Sequence, residues 1–563
     1  MSHWIIAPVV LPALLAPFIV LAARFHIGIQ RAIAVAGTLA LIAVAASLAW
    51  SVSDGDVILY QLSDWAAPFG IVLVGDRLST LMVLLTAVLA LFVLLYAIGS
   101  GWDHRGWHFH ALFQFQLMGI MGAFLTGDLF NLFVFFEVLL IASYGLMIHA
   151  GGNERLRAGV QYVLFNLIGS TLFLFALGSL YAETGTLNMA DLAERVAMIG
   201  AEETVGIRVA AVLLLLVFAI KAALVPLHFW LPSSYAEAPA PVAALFAIMT
   251  KVGAYAIIRV YTMIFPPDLE ATAGLHAVWM MPAALVSLAI GMIGVLAAKK
   301  LDRLVAFSVI GSMGMVMVAI SLFTEDGIAA ALYYIIHSTL AGAVLFLITD
   351  LARAGRDNLA LTAQPPVAGA AMTAGLFFVG AIAMAGLPPL SGFLGKLLVL
   401  DAAYDSVQMP WIWSVVLVSS LISVVGFARA GSVVFWKARS VARPEAVPAA
   451  IEGEAAVAPP VIAPPAMLSY VAAGGLVLLL VAHTVFAGQV HGYAKAISAQ
   501  LFAPEPYKTK VLETPGKLGR PEDKAKGGHG DGHGDEGHAE EGHAEEGHAE
   551  EGHAGDAATD GGH

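Results

Sequence analysis

Apolar segments long enough to cross a membrane recur along most of this chain of 563 residues, and they constrain its fold more than any other feature. A transmembrane helix needs about 20 apolar residues, and about fourteen such segments are present. Charged residues make up only 12% of the chain, about half the share found in soluble domains. The sequence therefore predicts an all-α polytopic membrane protein and excludes a soluble globular fold. The predicted helices lie near residues 4–23, 32–52, 79–98, 110–126, 129–149, 160–182, 207–225, 240–264, 276–298, 304–323, 328–349, 367–400, 411–435 and 467–488.

Several kinds of chemistry are excluded by what the sequence lacks. The chain contains no cysteine, which excludes disulfides, thiolate metal sites and cysteine nucleophiles. It has no phosphate-binding loop of the type that ends in Gly-Lys-Ser or Gly-Lys-Thr, so direct use of ATP is not expected. The first apolar segment lacks a basic start and a clear cleavage site, so we expect a retained helix. These features indicate no catalysis on a small molecule, no cofactor and no nucleic-acid partner.

Charges in the loops alternate along the chain. Loops after the odd-numbered predicted helices are basic, whereas loops after the even-numbered ones are acidic. Because short loops rich in Lys and Arg stay in the cytoplasm, both termini are predicted to lie on the outer, periplasmic side. The basic residues are Arg24, Arg31, Arg105, Arg155, Arg157, Lys299, Lys300, Arg303, Arg353, Arg356, Lys437, Arg439 and Arg443, and the acidic ones include Asp54, Asp56, Glu183, Asp191, Asp268, Glu270, Glu325, Asp326, Asp401 and Asp405.

Five proton-binding side chains interrupt the apolar helices. A charge at the bilayer centre costs roughly 2.5–3.5 kcal/mol on insertion scales, and such residues usually line ion or proton paths. The alternative to a proton path is a purely structural role. The acid and the lysines would then form internal ion pairs, and the histidine would form a hydrogen bond between helices. Because placing all five ionisable groups inside the membrane costs much free energy, we predict that they serve as a proton pathway. Its members are Glu137, Lys221, Lys251, His337 and Lys396. In contrast, Arg259 lies near a helix end and is expected to extend its head group to the interface.

Proline interrupts the seventh and the twelfth predicted helices. Pro226 follows Lys221, and Pro388 and Pro389 precede Lys396. An interior proline removes a helical hydrogen bond, and the freed backbone groups are tolerated in a membrane only against protein or a water-filled cavity. Paired breaks are typical of transporters with inverted repeats, so we predict two inverted five-helix repeats, helices 4–8 and helices 9–13. The predicted domains are 1–109 with helices 1–3, 110–264 and 276–436 with the two repeats, 437–466 as a flexible connector, 467–488 with helix 14, and 504–563 as a disordered tail.

The tail differs in composition from the rest of the chain. It is polar and rich in glycine, and it contains three successive Gly-His-Ala-Glu-Glu units. Low hydrophobicity with high charge predicts disorder, and a dispensable solvated tail is the simplest interpretation. The alternative is a metal-binding tract, with the candidate ligands His533, His538, His543 and His548. The tail holds 15 acidic and 6 basic residues, so it accounts for most of the net charge of −13.

Three stretches of sequence resemble signature segments of a known family. They are TGDLFNLFVFFEVLLIASY (126–144), KAALVPLHFWLPSSYAEAPAPVAALFAIMTKVGAYAIIR (221–259) and AGLPPLSGFLGK (385–396). Over most of residues 70–435 the chain is similar to the antiporter-like, proton-translocating membrane subunits shared by respiratory complex I and multisubunit cation/proton antiporters. Within that family, HFWLPSSYAEAPAPVAALF and IHSTLAGAVLFL most resemble the D subunits of Mrp-type sodium/proton antiporters.

This resemblance implies a function and a role for each buried group. Glu137 and Lys221 correspond to the family's Glu–Lys pair in the proton channel. Lys251 and His337 would form a central relay, and Lys396 would be the outer terminus of the path. The hypothesis is a subunit that moves protons in exchange for sodium, within a larger complex of antiporter subunits in the inner membrane of a bacterial cell. It would be a secondary ion transporter subunit and not an enzyme.

Two alternatives to this hypothesis stay open. One is an M-like proton-pumping subunit of an NADH:quinone oxidoreductase or related respiratory complex, and the other is a structural subunit with static charges. The sequence also departs from the family pattern at Ala341, where many relatives carry a lysine four residues after the histidine, so His337 or water would have to replace it. A sodium site is not evident, because only one acid lies well inside the membrane.

Overall fold

The computed structural model of the chain describes residues 2–199, 205–354, 356, 358–366, 369–441 and 465–516, and these residues are almost all helical. Most helices are apolar on every side, and their backbone groups bond within the helix, as lipid requires. The helices are α1 (Ala7–Ala22), α2 (Ile27–Ser51), α3 (Arg77–Ser100), α4 (Phe109–Leu125), α5 (Leu129–Met147), α6 (Asn153–Thr184), α7 (Met189–Met198), α8 (Val205–Lys221), α9 (Trp230–Glu237), α10 (Ala240–Met263), α11 (Met281–Ala297), α12 (Leu301–Ser321), α13 (Glu325–Arg353), α14 (Ala370–Ala385), α15 (Ser391–Ala402), α16 (Met409–Gly431), α17 (Met467–Val485), α18 (Ala487–Phe502) and α19 (Glu505–Glu513).

The helices are long enough and apolar enough for a polytopic membrane protein. Within the described residues, 11 helical segments meet the length and composition of a membrane span. Two further apolar helices, α4 and α14, are shorter. The predicted all-α polytopic architecture is therefore confirmed, while the number of fourteen spans and the inverted relation of the two repeats stay predictions.

Three long helices form the centre of the bundle. The apolar span of α10 is 100% buried and those of α12 and α13 are 94% buried, against 33% for α1 and α2. The central helices carry Lys251, Arg259 and His337, each of them buried. These polar groups consequently face protein and not lipid, which is what the cost of charge in hydrocarbon requires.

The seventh predicted helix, 207–225, is α8 in the structure and ends at Lys221, and the short helix α9 follows Pro226. The amide of Val225 donates to Oγ of Ser287 on α11 at 2.8 Å. The indole of Trp230 donates to the carbonyl of Ile220 at 3.1 Å, next to the end of α8. Both bonds satisfy backbone groups that the interruption leaves without a helical partner.

The twelfth predicted helix is two helices, α14 and α15, with Pro388 and Pro389 between them. Gly386 ends α14 with a φ of 74°, a left-handed conformation that favours glycine. Its amide lies 3.1 Å from the carbonyl oxygens of both Ile382 and Ala383. The C-terminus of a helix is thereby placed inside the apolar bundle, where its carbonyl groups need partners.

One strand pair was missed by the sequence analysis. Strand β1 (Ile58–Gln61) pairs antiparallel with β2 (Val72–Gly75), and Leu59 lies opposite Val74. Each strand has four residues, which is too short for a clear alternation of apolar and polar side chains. The pair lies in the loop that follows α2.

The start of the predicted disordered tail is wrong. Residue 504 was taken as its beginning, but Glu505–Glu513 form helix α19. Tyr507 and Val511, four residues apart, form an apolar stripe that is buried against the rest of the molecule. Because most residues around this stripe are polar, the composition of the segment predicted disorder and not a helix. From residue 517 the tail, including its candidate metal ligands, lies outside the described residues, as do residues 442–464 of the connector.

Candidate functional site

Glu137 lies on α5 and is held by the neighbouring helix α6. Its carboxylate accepts a hydrogen bond from the hydroxyl of Ser170 on α6. The start of α5 is set by Asp128, whose carboxylate accepts from the amide of Asn131 at 2.8 Å. Burial raises the pKa of Asp128 to about 6, although two backbone hydrogen bonds oppose the shift. The acid of the predicted pathway is thus fixed on a capped helix and bound by a hydroxyl donor.

Lys221 ends α8, directly before the break that contains Pro226. Its ammonium nitrogen Nζ donates to Oδ1 of Asn166 on α6 at 3.0 Å. It also lies 5.7 Å from the centre of the Phe136 ring, whose face attracts a cation. The side chain is buried. The lysine is therefore bound by an amide oxygen and an aromatic face, and not directly by a carboxylate.

Helix α6 connects the two members of the expected Glu–Lys pair. Asn166, which binds Lys221, and Ser170, which binds Glu137, are four residues apart and so lie on the same side of α6. The charged groups themselves are not in direct contact. The sequence analysis missed both α6 residues, and the available signal was two polar side chains at helical spacing in the mostly apolar middle of the helix.

A small cavity borders Lys221. It has room for about one water molecule and is lined mostly by apolar side chains, together with the polar groups of Tyr162, Asn166 and Trp230. Protons can pass between groups that are not in contact when water connects them, so this cavity makes the surroundings of Lys221 suitable for transfer.

Lys251 lies on α10 and is 1% exposed. Its ammonium has the hydroxyl of Thr250 at 3.5 Å, which is at the limit of a hydrogen bond. A Cβ on Gly253 would lie 2.7 Å from the amide nitrogen of Ala222 and 3.0 Å from Cβ of Lys221, so only glycine permits this approach of α10 to α8. Helices α8 and α10 are consequently in contact at Lys221 on α8 and at Gly253, two residues after Lys251, on α10.

His337 is fully buried on α13 and faces the second broken helix. Its Nδ1 lies 2.9 Å from Oγ of Ser391, at the start of α15. A Cβ on Gly392 would lie 2.8 Å from Nε2 of His337 and 2.0 Å from the carbonyl oxygen of Ala383, which shows how tightly α13, α14 and α15 pack here. The histidine is therefore positioned by the helix break and not only by its own helix.

Lys396 lies on α15 and binds the end of α14. Its Nζ donates to the carbonyl oxygen of Ala385 at 2.6 Å and to Oγ of Ser420 on α16 at 2.9 Å. The C-terminus of a helix carries a partial negative charge, so α14 stabilises a cation at this point. The break thus creates a site for the lysine that an unbroken helix would not offer.

The five groups form a series across the centre of the molecule. Glu137 and Lys221 are connected through α6, and Lys221 and Lys251 lie on helices in contact. Lys251 and His337 lie on α10 and α13, which pack together, and His337 and Lys396 both bind groups next to the break between α14 and α15. Among the residues that the structure describes, no group of three or more His, Asp or Glu side chains could hold a metal ion. The arrangement suits movement of protons between neighbouring groups.

The comparisons with known proteins agree on one family. A family model described as "NADH:quinone oxidoreductase/Mrp antiporter, TM" matches residues 126–423, which is more than half of the chain. The chain belongs to this family. The matched region includes both broken helices and all five groups of the series.

Several family relatives are similar over most of their length. The D subunit of a probable K(+)/H(+) antiporter of Rhizobium meliloti is 36% identical over 92% of this chain and 98% of that protein. The D subunit of a Na(+)/H(+) antiporter of Bacillus subtilis is 39% identical over 77% of this chain and 87% of that protein. Among solved structures, a chain of the Mrp complex from Dietzia has a TM-score of 0.81 at 28% identity and covers 91% of this chain and 100% of that chain. A chain of complex I from Thermus thermophilus has a TM-score of 0.71 at 26% identity, with coverage of 88% and 99%.

The structure places one charged residue of this family member differently from the sequence analysis. Arg259 does not extend to an interface; it is 3% exposed and its Nη2 lies 2.6 Å from Oδ2 of Asp76. The rings of Tyr255 and Tyr507 flank the guanidinium, with centroids at 5.7 and 5.2 Å. The reason is that α19 and the start of α3 cover this end of α10, so the arginine finds a carboxylate inside the protein.

Ala341, the departure from the family pattern, is fully buried on α13. It lies one helical turn after His337 and provides no polar group there. Two serines that the sequence analysis did not single out, Ser391 and Ser420, bind the neighbouring members of the series instead. Serine is common in apolar helices, so nothing in the sequence marked these two.

Proposed function

We propose that this chain is the proton-translocating subunit of a multisubunit monovalent cation/proton antiporter. The observation that carries the proposal is the series formed by the half-buried Glu137 and the buried Lys221, Lys251, His337 and Lys396, with helix breaks next to Lys221 and Lys396. The relatives named as D subunits of antiporters support the same function. As in the sequence analysis, sodium is the proposed cation, and potassium is the second candidate because one relative is named for it. The chain then works with other antiporter subunits as a transporter and not as an enzyme.

The proposed mechanism begins at Glu137 and Lys221. The attraction between two unit charges at an effective dielectric constant of about 20 is roughly 4 kcal/mol at 4 Å and roughly 2 kcal/mol at 8 Å. A carboxylate that moves by a few ångströms therefore changes the stability of the protonated lysine by about 2 kcal/mol, or more than tenfold in proton occupancy. Asn166 and Ser170 on α6 hold the two groups apart and ready for such a movement.

The proton would then pass along the central helices. Lys251 has no carboxylate bound to it within the described residues, so its charged state depends on its neighbours in the series. His337 can accept and donate at its two ring nitrogens, and Lys396 is stabilised as a cation by the end of α14. Because Ala341 offers no amine one turn after His337, His337 or water carries the proton past this point of α13.

We also propose the orientation that the loop charges predict, with basic loops in the cytoplasm and both termini outside, in the inner membrane of a bacterium. Contacts between loops support it. Arg31 binds Asp103 at 2.6 Å, and Arg429 donates to the carbonyl of Ala298 at 2.7 Å, so these basic loops share one side. Two repeats, 110–264 and 276–436, remain our proposed domain division, and the breaks between α8 and α9 and between α14 and α15 support it.

The proposal is tested by cation-driven proton movement in everted membrane vesicles that contain the whole complex. We expect Glu137→Gln and Lys221→Ala to reduce the initial rate on the order of a hundredfold, because each removes a proton-binding group. The matched controls are Glu194→Gln and Lys510→Ala, which change exposed residues of the same types. Sodium and potassium are supplied separately to identify the coupled cation.

Wild-type rates in both pathway variants, with the complex intact, would contradict the proposal and favour a structural subunit. The similarity to a chain of complex I keeps a respiratory complex as the second candidate function. Purification of the complex distinguishes the two, because a respiratory complex would oxidise NADH with a quinone as acceptor and an antiporter would not.

A further inference from the structure

A second buried histidine lies beside the central relay, on a helix to which the sequence analysis gave no role. His483 on α17 is 6% exposed. Its ring stacks on Tyr333 of α13, with centroids 4.3 Å apart and planes 30° apart. Tyr333 lies four residues before His337, and Tyr334 contacts the His337 ring with a centroid distance of 5.2 Å. Two tyrosines therefore lie between the two imidazoles.

Polar atoms in this region lack hydrogen-bond partners. Within the part of the chain that the structure describes, none is found for the hydroxyl groups of Tyr333 and Tyr334. A buried polar group without a partner destabilises the folded state, so native proteins satisfy nearly all of them, often with ordered water. Two such hydroxyl groups, on adjacent residues of α13 whose rings contact His483 and His337, favour ordered water in this region.

The region continues toward a surface. Helix α18 follows α17 after Phe486 and packs on the start of α13, where Oγ of Ser498 donates to the carbonyl of Glu325 at 2.8 Å. His491 on α18 is half-buried and its Nδ1 lacks a partner among the described residues. The charges that face it are Asp401 and the ion pair of Asp326 with Lys495, which are 3.0 Å apart. Burial lowers the pKa of His491, so near neutral pH this imidazole is free to accept a proton.

We propose that protons leave the central relay through His483, next to Tyr333, and reach the surface along α18 at His491. The proposal rests on the proposed function, since it assigns the outer end of the same proton path. It goes beyond the series formed by Glu137, Lys221, Lys251, His337 and Lys396, because it adds α17 and α18 to the conducting part of the chain. The route ends at acidic side chains, which attract protons and cations at the surface.

The test uses the whole complex in everted vesicles, with the rate of cation-driven proton movement measured across a range of pH. We expect His483→Gln, which keeps size and hydrogen bonding but cannot carry a proton, to reduce the rate on the order of tenfold or more and to change the pH profile. Tyr333→Phe, which removes one oxygen atom, should cause a smaller loss. The matched control is His149→Gln, a buried histidine that binds the carbonyl of Trp102 away from the series.

A rate and a pH profile equal to wild type in His483→Gln overturn the proposal. If that variant does not assemble, His491→Gln on the surface helix decides, since a loss of rate supports the route and an unchanged rate overturns it. Glu137→Gln is measured in the same membranes. If it also transports normally, the proposed function itself fails, whereas a defect confined to Glu137→Gln overturns only the exit route.

A second measurement addresses water access directly. The chain contains no cysteine, so His483→Cys carries its only thiol. We expect a small membrane-impermeant thiol reagent to label it, because the route is hydrated. Ala473→Cys on the same helix, at a fully buried position, is the control that should stay unlabelled. Equal protection of both thiols overturns the proposal.

Discussion

Removing the charge of Asp76 is expected to destabilise this protein strongly, because it leaves the guanidinium of Arg259 buried without a counter-ion. Nη2 of Arg259 lies 2.6 and 2.8 Å from the two carboxylate oxygens, and the side chains are 4% and 3% exposed. Breaking a buried pair by removing one partner costs about 3–5 kcal/mol. Asp76 also caps α3 by accepting from the amide of Ser79 at 2.9 Å, and the loss of a cap costs about 1 kcal/mol. We therefore expect Asp76→Ala to lower the free energy of unfolding by about 4–6 kcal/mol.

Further variants separate the contribution of the helix cap to the free energy of unfolding from the contribution of the ion pair. Asp76→Asn keeps a good cap and should lower the free energy of unfolding by about 3–4 kcal/mol. Arg259→Met should lower it less, by about 2–3 kcal/mol, because the remaining carboxylate still faces the amides at the start of α3. The double variant Asp76→Asn/Arg259→Met removes both charges and should lie within about 1 kcal/mol of wild type.

Titration with SDS in mixed micelles gives the free energy of unfolding of each variant. Lys300→Met is the control, since it removes a partner of Glu154 in an exposed pair and should change the free energy by about 1 kcal/mol at most. If the double variant is as unstable as Asp76→Asn alone, an uncompensated buried charge is not the cause of the loss, and the reasoning is refuted.

Two further predictions concern other parts of the chain. Gly392→Ala would place a Cβ 2.0 Å from a backbone oxygen of α14, so we expect about 1–3 kcal/mol lower stability and a loss of vesicle transport, while Gly375→Ala, whose Cβ meets open space, should stay near wild type. Burial raises the pKa of Asp103, but hydrogen bonds from His110 and Arg31 outweigh it and hold the pKa well below its usual range. Its stabilising effect is thus present above the unfolded pKa of about 3.9 and lost as the pH falls through the folded pKa. Asp103→Asn should be about 1–3 kcal/mol less stable at pH 7, with a gap from wild type that narrows below about pH 4; a constant gap in the SDS titration would contradict this.

The fold class and the burial of Lys221, Lys251, His337 and Lys396 could be predicted from the sequence because the membrane imposes simple rules, whereas Glu137 is only half-buried. A helix must be long and apolar to span it, and a charge inside it stands out against that background. The same rules led to a wrong prediction of the surroundings of Arg259. Its position near a helix end suggested exposure, but the residues that bury it, Asp76 and Tyr507, are distant in sequence.

The partners of the series could not be predicted. Asn166, Ser170, Ser391 and Ser420 are small polar residues of kinds that are frequent in membrane helices, so each was one candidate among many. The burial of His483 was not predicted either, because a histidine near a helix end is usually exposed. Helix α19 was missed for a related reason, because a stripe of two apolar residues is visible only once there is a surface to receive it.

The sequence by itself therefore determined a helical membrane protein of a known family, the breaks at its prolines and the residues able to hold a proton. Only the tertiary structure decided which of these residues meet. Lys221 is bound by α6 and not by Glu137, and Lys396 is bound by the end of a helix that the break exposes. The physical reason is that a lipid environment selects residue types one helix at a time, whereas proton transfer depends on distances of a few ångströms between helices that only their packing sets.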